Sequence, residues 1–473
     1  MSDQTEANAT GRNELESAFE ETQNRILGLM AAKKYIHARD EFMALNEVDA
    51  ADVFEEAESE LGIEMAVILF RMLPKDSAAE VFSRLDSDNQ LSIIDKITDS
   101  ELGTIMQEMD FDDMIDVIEE LPATVVDKVL AKSTPGERKL INTFLNYPEN
   151  SAGSLMTPDY IELKQDWTVG DALAHIKQVG MDSETVYTCY VKDRGRKLIG
   201  IVSLRNLVTY DADTSIEELI VSDIVYVGVY DDQEKVSETF TKYGFLAMPV
   251  VDNEHRLVGI ITVDDIMRVV EEETTEDIER MGGVISADDR EYFDTSVLRH
   301  YRNRFPWLIL LMCSAMLTGL VIEHYELLLQ DVVSLTMYLP LLMGTGGNSG
   351  SQASTLIIRG LALGEIGPSD ALRVFWKEFR ISILLGASLS AINFCKIIML
   401  DRPDDALFVA ATVCITQILV ICLAKCIGGL LPLLAKRIGV DPALMASPFI
   451  STLTDTFACL IYFNLAALFF HLM

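Results

Sequence analysis

The sequence predicts a multidomain protein: an all-α helical N-terminal solenoid, a tandem α/β repeat, a long connecting helix and an α-helical membrane domain with five transmembrane helices. Three observations predict it. Charge is uneven along the 473 residues: residues 305–473 carry 11 acidic and 9 basic side chains, which leaves 63 acidic and 29 basic in residues 1–304. Five apolar stretches, roughly residues 305–323, 332–357, 380–400, 406–433 and 443–472, are long enough to cross hydrocarbon about 30 Å thick. The stretch CYVKDRGRKLIGIVSLRNL from Cys189 recurs 59 residues later as MPVVDNEHRLVGIITVDDI from Met248.

The first element is acidic residues 1–20, expected to be disordered and lacking the basic start and apolar core of a signal peptide. Residues 21–150 follow as a cytosolic helical domain. Leu73-Pro74 and Leu121-Pro122 stand 48 residues apart, and each proline precedes apolar residues at helical spacing. That recurrence predicts a short helical solenoid without a catalytic constellation. Its histidine, His37, reads as an ordinary surface residue.

The repeat divides at residues 151–212 and 213–270. Gly200 pairs with Gly259, Val191 with Val250 and Asp193 with Asp252. Each copy reads as strand, turn, strand and helix, preceded by another strand and helix. This resembles a tandem pair of cystathionine-β-synthase (CBS) domains. The resemblance implies adenine-nucleotide binding through Ser203 and Asn206 in one copy and Thr262 and Asp265 in the other. Asn206 stands where an acid is expected, and a purely structural role for both copies remains open.

Residues 271–300 form the expected connecting helix. Its run EEETTEDIE places Glu272, Glu273, Glu276, Asp277 and Glu279 within two turns. Like charges at i, i+4 repel by a few tenths of a kcal/mol each. Either this is a solvated connector or its acids share divalent cations with acidic surfaces elsewhere.

The membrane domain, residues 301–473, has asymmetric flanks. Arg299, Arg302 and Arg304 precede the first stretch, Arg359, Arg373, Lys377 and Arg380 separate the second from the third, and Lys436 and Arg437 separate the fourth from the fifth. The opposite loops, EHYELLLQD and DRPDD, are acidic. The positive-inside rule then places the soluble region in the cytosol and the C-terminus outside. Of seven cysteines, six lie in apolar stretches, with no secreted-type disulfide framework. The acidic soluble part disfavours nucleic acid and favours cations.

Two features of this domain carry chemistry. PLLMGTGGNSGSQASTLIIRG, from Pro340, groups Gly344, Gly346, Gly347 and Gly350 with Thr345, Asn348, Ser349, Ser351 and Gln352. Such a run is either a small-residue packing seam or a helix break lining a pore, and the break is the preferred reading. The fifth stretch carries one acid, Asp455, with Ser451 and Thr452 at i−4 and i−3. A charge in a span costs at least about 2.5 kcal/mol, so it faces water or a counter-ion. Lys396 and Lys425 are candidate counter-ions; the larger expectation is a carboxylate lining a cation path.

Together GTGGNSGSQASTLIIRGLALGEI, DPALMASPFISTLTDTFACLIYF, the CBS pair and EEETTEDI resemble the MgtE family of bacterial magnesium channels, from about residue 20 to residue 473. The resemblance implies a homodimer in the bacterial inner membrane, a pore built from the second and fifth spans, and an acidic plug helix. It implies Mg2+ ligands at Asp455 and Asp441 in the pore, with Gly344, Gly346, Gly347, Asn348, Ser451 and Thr452 lining it. On the cytosolic side it implies Mg2+ at Glu80, Asp112, Asp116, Glu234, Asp265, Glu273, Glu276 and Asp277. Gly244 and Arg268 stand where the family pattern has acids. The implied function is Mg2+ uptake, closed by feedback when cytosolic Mg2+ bridges the acidic surfaces, with Mn2+ and Co2+ as further ions and ATP at the CBS pair. Rival readings are a nucleotide-sensing, membrane-anchored regulator and a CBS-gated divalent cation exporter. With no P-loop, nucleophile–base pair or His/Cys cluster, an enzyme is not expected.

Overall fold

The computed structural model describes residues 2–285, 292–293, 295–403, 405–445 and 447–470, and falls into two units, Met1–Met267 and Arg268–Met473.

The first unit opens with helices α1 (Ser2–Ala31), α2 (Tyr35–Phe42), α3 (Glu47–Leu61), α4 (Ile63–Phe70) and α5 (Lys75–Arg84). There follow α6 (Ser87–Ile94), α7 (Asp99–Glu108), α8 (Phe111–Glu120), α9 (Ala123–Lys132) and α10 (Pro135–Phe144). Residues 1–20, expected to be disordered, are helical from Ser2: the run is rich in Ala and Glu and contains no proline. From α5 on, the helices start at a fixed interval. Their N-caps are Pro74, Asp86, Thr98, Asp110, Pro122 and Thr134, each twelve residues after the last. Asp86 accepts the N–H of Asn89, and Thr98 and Thr134 form capping boxes with Glu101 and Glu137. The result is an array of short helices, and the 48-residue Leu-Pro recurrence spans four of these intervals.

The tandem repeat folds as two three-stranded sheets. The first holds β1 (Tyr160–Leu163), β2 (Thr185–Lys192) and β3 (Leu198–Ser203), with α11 (Val169–Val179) and α12 (Leu204–Thr209). After the short α13 (Ile216–Leu219), the second holds β4 (Val227–Gly228), β5 (Ala247–Val251) and β6 (Leu257–Thr262), with α14 (Gln233–Tyr243) and α15 (Val263–Met281). In each sheet the first pair is parallel and the second antiparallel. The copies are interlocked. Thr157, leading into the first copy, bridges Ile260 of the second, and Val221, leading into the second, bridges Ile201 of the first. These crossings explain the paired glycines: a Cβ on Gly259 would lie 2.7 Å from the Thr157 carbonyl oxygen, and one on Gly200 would overlap Ile220. One apolar core joins the helical domain to the second copy, from Phe54 and Phe82 to Met248 and Ile261, while the first copy has its own core around Val191 and Val202.

In the second unit, α16 (Val297–His324) precedes the short α17 (Glu326–Asp331), and then come α18 (Leu339–Ala362), α19 (Ala371–Lys396), α20 (Ala406–Ile438) and α21 (Ser447–Phe469). Helix α18 packs on α20 and α21, α19 on α20, and α16 on α21. Among the described residues, four helices are long and apolar enough to cross a membrane: Val297–His324, Pro368–Asp401, Ala406–Ile438 and Pro442–Phe469. The expected second span, α18, is not among them. Its 24 residues reach about 36 Å, but glycines, serines and amides dilute its apolar character. The connecting helix expected over 271–300 is also shorter: α15 ends at Met281, where Gly283 turns into the left-handed region at φ +74°.

Candidate metal and pore sites

In the first unit, the turn opening α8 brings acids from three segments together. Asp112 is 9% exposed and its Oδ1 has no hydrogen-bond partner. Burial pushes its carboxyl far above the ordinary carboxylate range, and Asp265, Glu184 and Asp113 push in the same direction. Burial, then Asp110 and Asp265, raise Glu184 to about 7. Glu80 on α5 is raised by burial and by Asp110 and Asp113, and Asp159 by burial and by Asp110 and Asp182. Two helix N-termini face this cluster: Asp112 and Asp113 open α8, Asp264 and Asp265 open α15, and each dipole favours anions. Three of the expected sensor acids, Glu80, Asp112 and Asp265, therefore share one region, joined by Asp110, Asp159 and Glu184.

A buried carboxylate oxygen without a donor, ringed by further carboxylates, suits a hard divalent ion that takes oxygen ligands. Among the described residues, no three of these groups converge to ligating distance, so the donor set fits an ion held partly through its own waters. Asp116 follows one turn after Asp112 on the same face of α8, where burial, Asp116 and Glu149 raise Glu119 to about 6. Glu119 and Glu149 border an open groove of about 610 Å³. Glu234 sits in the first turn of α14, where its N–H donates to Asp232 Oδ1 at 3.0 Å.

The residues expected to recognise a nucleotide are engaged locally. Ser203 caps α12 by accepting the Asn206 N–H at 3.3 Å, and the buried Thr262 hydroxyl donates to Asp265 Oδ2 at 2.9 Å. Gly244, one of the two departures from the acidic pattern, terminates α14 at φ +66°, a conformation that favours glycine.

In the second unit the glycine run does not break the helix: α18 continues unbroken from Leu339 to Ala362. The packing-seam reading holds instead. A Cβ on Gly346 would lie 2.6 Å from Val420 Cγ1, one on Gly350 would lie 2.6 Å from Ile450 Cγ2, and one on Gly347 would lie 3.1 Å from Ser451 Oγ. Gly428 of α20 meets the Gly350 carbonyl in the same way. Gly344 and Asn348 lie on the other side, on an exposed face continued by Gln352, Thr355 and Arg359. The helix stays whole because neighbouring helices fill the space that side chains would occupy.

Asp455 sits in α21, half-buried. Neither lysine neutralises it: Lys425 pairs with Glu378 at 3.4 Å and Lys396 with Asp401 at 3.1 Å. The nearby Thr452 and Thr454 hydroxyls donate to carbonyls of their own helix, Pro448 and Ile450. Thr456 meets Thr318 of α16 at 2.8 Å. Asp441, expected as a Mg2+ ligand, is held by protein groups. Its Oδ2 is bound by Arg280 at the end of α15, and its Oδ1 accepts the Ala443 N–H at 2.7 Å. Arg280 also binds Glu276, while Glu273 and Asp277 are half-buried on the same helix. Arg280, Glu184 and Asp110 escaped the sequence reading, although Arg280 stands four residues after Glu276, the spacing of a helical ion pair.

Helices of this length around a carboxylate that neither candidate lysine neutralises, joined to an acidic helical domain and a CBS pair, define a multi-pass membrane transporter of divalent cations. The description "Divalent cation transporter" matches residues 339–465, "MgtE intracellular N domain" matches residues 45–150, and the CBS domain matches 152–213 and 216–272. The magnesium transporter MgtE of Thermus thermophilus is 36% identical over 413 residues, 86% of this chain and 90% of that protein. That of Bacillus subtilis is 32% identical over 400 residues, 84% and 87% of the two chains. The chain belongs to the MgtE magnesium transporter family. Among solved structures, the cytosolic domain of the Mg2+ channel MgtE in complex with ATP is 32% identical, with a TM-score of 0.49, and covers 51% of this chain and 98% of that one.

Proposed function

We propose that the chain takes up Mg2+ across the bacterial inner membrane as a homodimer and closes when cytosolic Mg2+ binds its acidic surfaces. The observation that carries this is Asp455: an intramembrane carboxylate whose two candidate lysines are committed elsewhere. Such a charge is tolerated where water or a passing cation supplies the counter-charge. Mg2+ gives up its water reluctantly, so Asp455 acts on a hydrated ion, through bound waters. Helix α18 serves as the fifth span, and its exposed polar face at Gly344, Asn348 and Gln352 fits contact with a second copy around an aqueous path. Ser451 and Thr452 contribute from α21. The basic flanks place the soluble unit in the cytosol. There, acids such as Asp112, Glu184 and Asp265 repel one another until a divalent ion joins them; Glu80 belongs to the same cluster, and Asp116, Glu234, Glu273 and Asp277 are further candidate ligands. Mn2+ and Co2+ share the oxygen chemistry and are further candidate cargo. The CBS pair takes ATP, as the related cytosolic domain does.

Proteoliposomes loaded with a magnesium-sensitive dye test this reading. Wild-type protein passes Mg2+, internal Mg2+ at millimolar concentration suppresses flux, and Asp455→Asn abolishes flux while the protein stays folded. Undiminished selective flux in Asp455→Asn removes the carboxylate from the path.

A further inference from the structure

The end of α15 is held within the second unit by contacts of two kinds. One kind is not ionic. The Ile285 N–H donates to the Asn303 carbonyl at 2.9 Å. Gly283, at φ +74°, presses so closely on the indole of Trp307 that any Cβ would overlap the ring. The other kind is ionic. Arg280 reaches Glu276 one turn back on its own helix and, through Nη1, Asp441 at the approach to α21. The side chains of Arg280, Glu276 and Asp441 remain 35%, 35% and 24% exposed, so aqueous ions reach them.

This arrangement has an electrostatic consequence. One guanidinium between two carboxylates leaves one negative charge uncompensated. A divalent cation at the same oxygens leaves none, and both carboxylates favour an oxygen-seeking ion. We propose that Arg280 is a resident cation that competes with Mg2+ for Glu276 and Asp441, so that Mg2+ releases the guanidinium and alters the packing of Gly283, three residues on, against Trp307. The proposal rests on Mg2+ regulation of this protein and adds its built-in competitor. Because the pair is partly exposed, its worth is a fraction of a kcal/mol to about one, which corresponds to roughly three- to fivefold in an apparent binding constant.

The test uses the full-length protein in detergent with Trp167→Phe and Trp376→Phe, so that Trp307 alone reports. Emission is titrated with Mg2+ at fixed ionic strength. Arg280→Gln is expected to lower the midpoint three- to fivefold. Arg302→Gln removes the same charge from α16 without touching either carboxylate and is expected to leave the midpoint in place. No Mg2+ transition in the wild type, an unchanged or raised midpoint in Arg280→Gln, or equal shifts in both variants overturns the proposal. Should Arg280→Gln fail to fold, Arg280→Lys, which lacks the two-pronged fork, replaces it and must shift in the same direction by less. Dye-reported flux is measured in parallel, so loss of transport and loss of competition are read separately.

Discussion

Replacing Asp112 with Asn tests whether the acidic cluster is held under electrostatic strain that a cation relieves. In the unfolded chain Asp112 ionises near 3.8; in the folded unit, burial first and then Asp265, Glu184 and Asp113 make it keep its proton well past neutrality. Between those two values the folded state binds more protons than the unfolded state. Stability is therefore fully present below about pH 3.8 and falls as pH rises through the window towards the folded pKa. At about 1.4 kcal/mol per pH unit, holding that proton at pH 7 costs about 4 kcal/mol. Asn keeps the shape without the charge but still buries an amide, so about 2 kcal/mol is recovered. For a unit of this size that raises Tm by about 4–8 °C. The assay is thermal unfolding of full-length protein in detergent, with EDTA and with Mg2+, from pH 5 to pH 8. Wild-type protein in EDTA loses Tm as pH rises, and Mg2+ at a hundredfold excess over Kd restores about 2.7 kcal/mol. Asp112→Asn shows a higher Tm in EDTA, a flatter pH dependence and a smaller Mg2+ increment. A lower Tm in EDTA, or a full Mg2+ increment in the variant, refutes the reasoning.

Gly350→Ala forces a Cβ to within 2.6 Å of Ile450 and 3.1 Å of the Ala424 carbonyl oxygen, and is expected to cost about 1–3 kcal/mol and reduce flux. Gly344→Ala meets nothing within 4 Å and is expected to be neutral or slightly stabilising, as thermal unfolding in detergent will show. Glu378→Gln strands the buried Lys425 ammonium and is expected to destabilise the second unit by about 3–5 kcal/mol, whereas the double variant Glu378→Gln with Lys425→Met recovers most of that loss. Glu184→Gln, next to Asp112 in the acidic cluster, is expected to raise the Mg2+ concentration that suppresses flux in proteoliposomes by several-fold.

The repeat was legible at 59 residues because β3 and β6 match in length, and because the crossings at Thr157 and Val221 demand glycine in both copies. The twelve-residue rhythm of the helical domain was hidden. Its caps alternate among Pro, Asp and Thr, which satisfy a helix start by different means, so no residue identity repeats. The glycine run of α18 was misread for a related reason. A small-residue segment has no local signal for helix, and its partners, Val420, Ile450 and Gly428, come from helices distant in sequence. Asp455, Asp112 and Asp265 were found through motifs, but Glu184 was not, since a single acid at the edge of β2 carries no pattern until the fold sets it beside α8.

The second unit handles intramembrane charge in two ways, and the contrast bears on function. Glu378 faces Lys425 and Asp401 faces Lys396, the first pair with only 7% and 5% of its side chains exposed. A fold able to place those counter-ions could have placed one beside Asp455. Charge in hydrocarbon without a partner costs several kcal/mol, and that cost is borne only where neutralising the carboxylate permanently would defeat its use. If Asp455 lines the path as proposed, a fixed lysine beside it would repel the ion. The same economy reappears in reverse at Asp441, where a guanidinium is present but exposed, hence exchangeable. On the proposed reading, charge compensation is permanent in the scaffold, conditional at the end of α15, and left to the passing cation at Asp455.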